Sequence, residues 1–94
     1  MQVLKFGAVW CGPCKTIEPY VKELEEKYKI NVRRFYHESD QDIFEEFNIE
    51  ALPTFILIFD DEEQAEELDR VEGCDREGIA RLFKECVRHR KENE

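Results

Sequence analysis

The sequence predicts an α/β domain in which a four-stranded mixed sheet is flanked by three helices, in the order β-α-β-α-β-β-α. Two observations support this class. Short apolar runs of strand length alternate with segments whose apolar residues recur every three or four positions, the spacing of a helix face. The chain has 94 residues, of which 41% are hydrophobic, enough for one modest core. We therefore expect a single domain over residues 1–94.

The first strand and the first helix are predicted on either side of a turn at residues 10–13. Residues 3–9 are mostly apolar with Lys5 as their one charge, a pattern typical of a buried parallel strand. Pro13 suits a first helical turn, because its missing N–H would have no partner there. Pro19 removes a backbone hydrogen bond inside the helix and predicts a kink. The apolar stripe of this helix comprises Ile17, Tyr20, Val21, Leu24 and Tyr28.

Residues 30–37 predict a second strand, which a right-handed crossover through the first helix would place parallel to the first strand. Asp40 is expected to cap a short helix that runs through Phe47. That helix presents Ile43, Phe44 and Phe47 on one face.

An antiparallel hairpin and a last helix complete the prediction. The strands of the hairpin are residues 54–59 and 65–71, joined by the polar segment 60–64. The second of these strands is expected near an edge of the sheet. Asp75 is expected to cap the last helix. The apolar stripe of that helix comprises Ile79, Leu82, Phe83, Cys86 and Val87.

Charge and hydropathy exclude several classes of partner. The formal net charge is −9, which argues against a nucleic acid or an anionic membrane as the main partner. The sequence has no apolar run of the ~18–20 residues that a membrane span needs. The first five residues do not predict a secretory signal, and we expect a cytoplasmic protein.

The segment Cys11-Gly12-Pro13-Cys14 carries the predicted chemistry. It follows a strand and opens a helix, where unpaired backbone N–H groups and the positive end of the helix dipole stabilise a thiolate. Cys11 is nearer the open end and is predicted to attack. Cys14 lies one turn further in and is predicted to resolve the mixed disulfide by reversible dithiol–disulfide exchange.

A zinc half-site is the alternative interpretation of the two cysteines. It would need a second pair of ligands, whereas the other candidate ligands, Cys74, Cys86, His37 and His89, are scattered. We therefore expect no metal and no cofactor besides the Cys11–Cys14 disulfide. Cys86 lies on an apolar helix stripe and is interpreted as a small buried hydrophobic residue.

The segment Trp10-Cys11-Gly12-Pro13-Cys14-Lys15 resembles the active-site sequence of the thioredoxin family. Pro19 and the segment Ala51-Leu52-Pro53-Thr54-Phe55 extend the resemblance over nearly the whole chain. It implies a thioredoxin fold in a short, glutaredoxin-sized form that begins at the central strand. It also implies a monomeric protein disulfide reductase, with protein disulfides as substrates and a thioredoxin-reductase-type electron donor.

The resemblance implies further substrate-binding residues in addition to Gly12 and Pro13. Pro53 would be a cis-proline, and the backbone of Leu52 would pair with an extended substrate segment. Trp10 would cover the site and contact partners, although a simple core tryptophan is the alternative. Gly73 would belong to the loop that completes the substrate groove.

Two residues depart from the family pattern. Lys5 stands where thioredoxins commonly carry a buried aspartate beneath the second cysteine. It could be a neutral base, a charged group that stabilises thiolate, or a lysine that reaches a carboxylate without catalytic role. Cys74 follows Gly73 in the loop that flanks the active site, where glutaredoxins bind glutathione.

Two other functions remain as alternatives. The first is a glutaredoxin-like, glutathione-dependent oxidoreductase. The segment Glu72-Gly73-Cys74-Asp75 resembles the segment that glutaredoxins use to bind glutathione. The Cys-Gly-Pro-Cys and Ala-Leu-Pro segments do not match the glutaredoxin pattern. The second is a subunit that binds a partner through Trp10 and Pro53 without catalysis.

Overall fold

The computed structural model describes residues 1–60 and 65–92, and in this part of the chain the elements follow the predicted order. The strands and helices are β1 (Gln2–Gly7), α1 (Gly12–Tyr28), β2 (Arg33–Tyr36), α2 (Gln41–Glu46), β3 (Thr54–Asp60), β4 (Ala65–Glu72) and α3 (Arg76–Glu92). Of the predicted polar connection, positions 61–64 lie outside the described residues.

The sheet has the strand order β2-β1-β3-β4. β1 pairs in parallel with β2 on one side, with Lys5 opposite Arg34. On its other side β1 pairs antiparallel with β3, and β3 pairs antiparallel with β4. The mixed sheet, the crossover through α1 and the edge position of β4 are therefore as predicted.

β2 is shorter than predicted, because backbone groups of residues 30–32 bond to the C-terminal end of α1 rather than to the sheet. Lys29 adopts a left-handed conformation (φ 57°) at the helix C-cap. The Ile30 N–H then donates to the carbonyl oxygen of Glu25 at 3.1 Å. The Val32 N–H donates to the Glu25 carboxylate at 2.8 Å. Because the Ile30 and Val32 N–H groups bond to α1, strand pairing begins only at Arg33.

β1 also ends earlier than predicted, at Gly7 rather than at residue 9. Beyond Gly7 the chain turns: the Cys11 N–H donates to the Ala8 carbonyl at 3.1 Å. The Val9 N–H donates to the Glu38 carboxylate at 3.2 Å. These bonds replace a strand ladder and lead the chain into α1.

The two predicted caps have different outcomes. Asp75 caps α3 as predicted, with its carboxylate accepting from the Gly78 N–H at 3.0 Å. Asp40 stands at the N-cap position of α2 but makes no side-chain bond to that helix. Its carboxylate accepts instead from the Tyr36 N–H at 2.8 Å, so it closes the turn between β2 and α2. The side-chain cap predicted for Asp40 was therefore wrong.

The sheet has an apolar core on each face, which accounts for the nearly continuous apolar runs of β1 and β3. α1 and α3 cover one face, and α2 packs on the other. α1 is continuous through Pro19. The first core includes Val3, Ile17, Val21, Leu24, Phe55, Leu57, Ile79, Leu82, Phe83 and Cys86, and the second includes Leu4, Phe6, Phe44, Ile56 and Ile58.

Candidate active site

The two cysteines of the Cys-Gly-Pro-Cys segment are joined by a disulfide at the N-terminus of α1, with their Cα atoms 5.3 Å apart. Cys11 is the N-cap residue, and its Sγ accepts a hydrogen bond from the Cys14 N–H at 3.2 Å. Both residues are 5% exposed, so burial does not distinguish them in the oxidised state. Their positions in the helix distinguish them, because only Cys11 is the N-cap residue whose side chain accepts a hydrogen bond from the first turn.

A second segment packs against the disulfide from the loop before β3. Leu52 contacts the small apolar cluster of Ala8, Cys11 and Cys14. The Leu52–Pro53 peptide bond is cis, as the family resemblance implies. The Pro53 carbonyl accepts from the Gly73 N–H at 2.7 Å.

Gly73 has a φ of 83°, a conformation that favours glycine because it has no Cβ. This left-handed residue lets the chain turn from β4 beside Pro53. The structure therefore places Leu52 against the disulfide and joins the adjacent Pro53 to Gly73.

Trp10 lies on the surface, with 68% of its area exposed. A core position for Trp10 is thereby contradicted. Its ring meets the edge of His37, with the ring centroids 6.3 Å apart. Between them and the loop before Pro53 lies a cavity of about 230 Å³. Its lining residues are Trp10, His37, Phe44, Ile49, Glu50 and Leu52.

Sequence reasoning missed the part of this cavity that α2 and the segments on either side of it contribute. His37, Ile49 and Glu50 carry no local motif, and only the packing of α2 against the sheet brings them beside Trp10. Gly12 and Pro13, between the two cysteines in the chain, are exposed.

The remaining two cysteines have different surroundings. Cys74 is exposed, and its thiol donates to the Pro13 carbonyl oxygen at 3.4 Å, which places it at the rim of the candidate site. Cys86 is fully buried in the core between α3 and the sheet. Burial raises the pKa of the Cys86 thiol above its ordinary value, as expected for an unreactive core cysteine.

Lys5 lies next to the second cysteine, as the family resemblance implies. Its Nζ donates to the Cys14 carbonyl oxygen at 3.1 Å and to the Glu18 carboxylate at 2.5 Å. The residue is only 5% exposed. Of the three interpretations of Lys5, the geometry matches contact with a carboxylate, with Lys5 buried and Glu18 half-buried.

Glu18 is the centre of a charged network that the sequence analysis did not identify. Its carboxylate accepts from Lys5 and from Arg34, and Arg34 also pairs with Glu25 at 2.7 Å. Burial by itself would raise the pKa of Glu18, but the hydrogen bonds from Arg34 and Lys5 outweigh it and hold that pKa below its ordinary value. A signal was available: Glu18 and Glu25 stand seven residues apart, two turns along one helix face.

Within residues 1–60 and 65–92, no group of three or more histidine, cysteine and acidic side chains is arranged to hold a metal ion. No helix in the same part of the chain combines the length and the hydropathy that a membrane span requires.

The fold and the site define a class: small α/β proteins with a cysteine pair at the N-terminus of a helix that packs on a mixed sheet. The chain belongs to the thioredoxin family, whose sequence model matches residues 1–85. Comparison with known proteins therefore supports the family that the active-site segment resembles.

Three relatives illustrate the similarity. A thioredoxin H-type protein of Fagopyrum esculentum is 36% identical over 79 residues, which cover 82% of this chain and 64% of that protein. A thioredoxin of Pongo abelii is 33% identical, covering 90% of this chain and 78% of its own. The crystal structure of Plasmodium falciparum thioredoxin is 32% identical, with a TM-score of 0.76 over 88% of this chain and 68% of its own. The chain spans less than two thirds of the length of several curated relatives that it matches.

Proposed function

We propose that this protein is a thiol–disulfide oxidoreductase that reduces protein disulfides through the Cys11–Cys14 pair. The observation that carries the proposal is the disulfide at the N-terminus of α1, where Cys11 caps the helix. A helix N-terminus lowers the pKa of a thiol and so supplies an attacking thiolate near neutral pH. Membership of the thioredoxin family supports the same activity.

The proposed cycle consists of two exchanges. The Cys11 thiolate attacks one sulfur of a substrate disulfide, forms a mixed disulfide and releases the other substrate sulfur as a thiolate. Cys14 then loses its proton and attacks the Cys11 sulfur, which forms the Cys11–Cys14 bond and releases the second substrate sulfur. Two electrons have passed to the substrate, and a reductase of the thioredoxin-reductase type returns two electrons to the Cys11–Cys14 bond.

The surface around the disulfide supports a protein substrate. Trp10, Leu52 and Gly73 surround the cysteines with exposed and half-buried groups from three separate segments. We propose that an extended substrate segment lies between Trp10 and the loop of Gly73, against the backbone of Leu52. Gly12 and Pro13 would contact the same segment.

Reduction of insulin disulfides by the full chain tests the function. With a thioredoxin reductase and its reductant as the electron source, we expect turnover by the wild type and none by Cys14→Ser. The variant is expected instead to accumulate as a mixed disulfide with substrate, which mass spectrometry detects. Absence of turnover in the wild type with every reductant, dithiothreitol included, would favour the partner-binding alternative.

The electron donor separates the proposal from the glutathione-dependent alternative. We expect glutathione to reduce the Cys11–Cys14 bond poorly compared with a thioredoxin reductase, because the sequence lacks the glutaredoxin Cys-Pro-Tyr-Cys and Thr-Val-Pro segments. Efficient reduction by a glutathione system alone would instead assign Cys74, at the rim of the site, to a glutathione subsite. The cytoplasmic location and the monomeric state belong to the same proposal, and fractionation and sedimentation experiments test them.

A further inference from the structure

A second opening, separate from the cavity beside Trp10, reaches Cys14. It is a cavity of about 520 Å³, lined by Cys14 together with Lys5 and Glu18. Lys15 and Tyr36 are the other titratable side chains that face it. The resolving cysteine and the ion pair therefore share one cavity.

We propose that Glu18, acting through Lys5, is a positioning residue that sets the stability of the Cys14 thiolate and thereby the redox equilibrium of the Cys11–Cys14 pair. The inference rests on the dithiol–disulfide exchange proposed above. It assigns to α1 an acidic residue, Glu18, that acts on the site through the ammonium group of Lys5 on β1.

The geometry holds the Lys5 ammonium at one place. It bonds to the Cys14 carbonyl at 3.1 Å and to the Glu18 carboxylate at 2.5 Å, and the side chain is 6% exposed. Arg34, opposite Lys5 in the strand register, holds the other oxygen of Glu18. The Lys5–Glu18 pair is thus bonded to Cys14 on the lysine side and to Arg34 on the carboxylate side.

Charge decides the effect of each partner. Lys5 and Arg34 bring two positive charges, and Glu18 and Glu25 bring two negative charges, so the described network has no net charge. Loss of the Glu18 carboxylate would leave the Lys5 ammonium, which bonds to Cys14, without its counter-charge, and this favours the Cys14 thiolate. Loss of the Lys5 ammonium would leave an unbalanced negative charge, which disfavours the thiolate.

The thiolate links this charge balance to the redox equilibrium. When an external dithiol reduces the protein, two electrons enter the Cys11–Cys14 bond, the bond breaks, and each sulfur becomes a thiolate or takes up a proton. The dithiol is oxidised to its own disulfide in the same step. A charge that stabilises the Cys14 thiolate therefore stabilises the reduced protein and makes it a better oxidant.

Redox equilibration with dithiothreitol tests the inference in the full chain, without any protein substrate. Glu18→Gln is expected to shift the equilibrium constant about tenfold toward the reduced protein at pH 9, or ~30 mV. Lys5→Met is expected to shift it in the opposite direction, and the double variant to lie near the wild type. The shifts should be smaller at pH 7, where less of the thiol is ionised.

Glu25→Gln is the matched control, because Glu25 belongs to the same network but contacts Arg34 and Val32 rather than Lys5. Its equilibrium constant is expected to stay within twofold of the wild type. A parallel titration of Cys14 in Cys11→Ser should give a lower pKa with Glu18→Gln and a higher pKa with Lys5→Met.

Shifts of Glu18→Gln and Lys5→Met in the same direction, or no shift beyond twofold in either, would overturn the inference. Should Glu18→Gln not fold, Lys5→Met decides alone, because a shift toward the reduced protein contradicts the proposal. A wild type whose Cys11–Cys14 bond is not reduced at all would instead contradict the proposed function.

Discussion

The thiol of Cys74 lies 3.4 Å from the carbonyl oxygen of Pro13, although 61 residues separate them in the chain. The contact joins the loop after β4 to the turn that carries the disulfide. It places an exposed thiol at the rim of a site whose own sulfurs are each 5% exposed. The cysteine that an alkylating reagent labels first should therefore differ between the oxidised and the reduced protein.

In the oxidised protein we expect iodoacetamide to label Cys74 and to leave Cys86 unmodified. Cys74 is exposed, whereas Cys86 is fully buried and its pKa is raised by burial. Only a thiolate that the reagent can reach reacts at an appreciable rate. Peptide mapping by mass spectrometry measures both, and labelling of Cys86 in the folded protein would contradict its core position.

In the reduced protein, limiting iodoacetamide near neutral pH is expected to label Cys11 first. The helix N-terminus stabilises its thiolate, and its sulfur accepts from the Cys14 N–H. Peptides quantified at several times give the order of modification. Cys14 as the first labelled residue would reverse the roles assigned to the two cysteines.

Cys86→Ser is expected to lower the free energy of unfolding by about 1–3 kcal/mol, because the serine hydroxyl would be buried in an apolar cluster without a hydrogen-bond partner. Cys74→Ser is the control, because an exposed substitution usually changes stability by no more than about 0.5 kcal/mol. Urea denaturation of the reduced proteins compares them. Equal stability of the two variants would show that the Cys86 site accommodates a polar group.

Asp75→Ala is expected to destabilise the protein by about 1 kcal/mol, the usual contribution of a helix N-cap. The variant removes the acceptor of the Gly78 N–H at the start of α3. Asp75→Asn keeps a side-chain oxygen and should retain most of the stability. Denaturation midpoints with equal slopes measure the difference, and an unchanged midpoint in Asp75→Ala would argue against the cap.

Acid should remove the stability that Glu25 contributes. Burial tends to raise the pKa of Glu25, but hydrogen bonds from Arg34 and from the Val32 N–H hold it below its ordinary value. The contribution is therefore complete above the unfolded pKa of about 4.3 and is lost as the pH falls through the lower folded pKa.

The comparison of wild type with Glu25→Gln isolates this contribution. Their difference in unfolding free energy should be largest near pH 7 and should shrink below about pH 4, where the carboxylate becomes neutral like the amide. Urea titrations from pH 7 to pH 3 measure it. A difference that does not change with pH would assign the effect to packing rather than to charge.

Local patterns determined the elements and the reactive pair. The stripes that run from Ile17 to Leu24 and from Ile79 to Cys86 identified the faces of α1 and α3, because burial of a helix follows its 3.6-residue period. Cys11 and Cys14 were predictable because a helix start and a two-residue spacing are both local properties. Asp75 was predictable as a cap for the same reason.

Tertiary structure decided the features that depend on which segments become neighbours. The strand order put Arg34 opposite Lys5, and the packing of α1 then placed Glu18 between them. The C-terminal end of α1 binds backbone N–H groups before Arg33, so β2 begins later than its apolar residues suggested. Spacing along the chain determines which residues share one helix or strand face, but contacts between faces depend on strand pairing and packing across the whole sheet. For that reason the sequence alone was enough to identify the cysteines, whereas the carboxylate beneath them was found only in the folded chain.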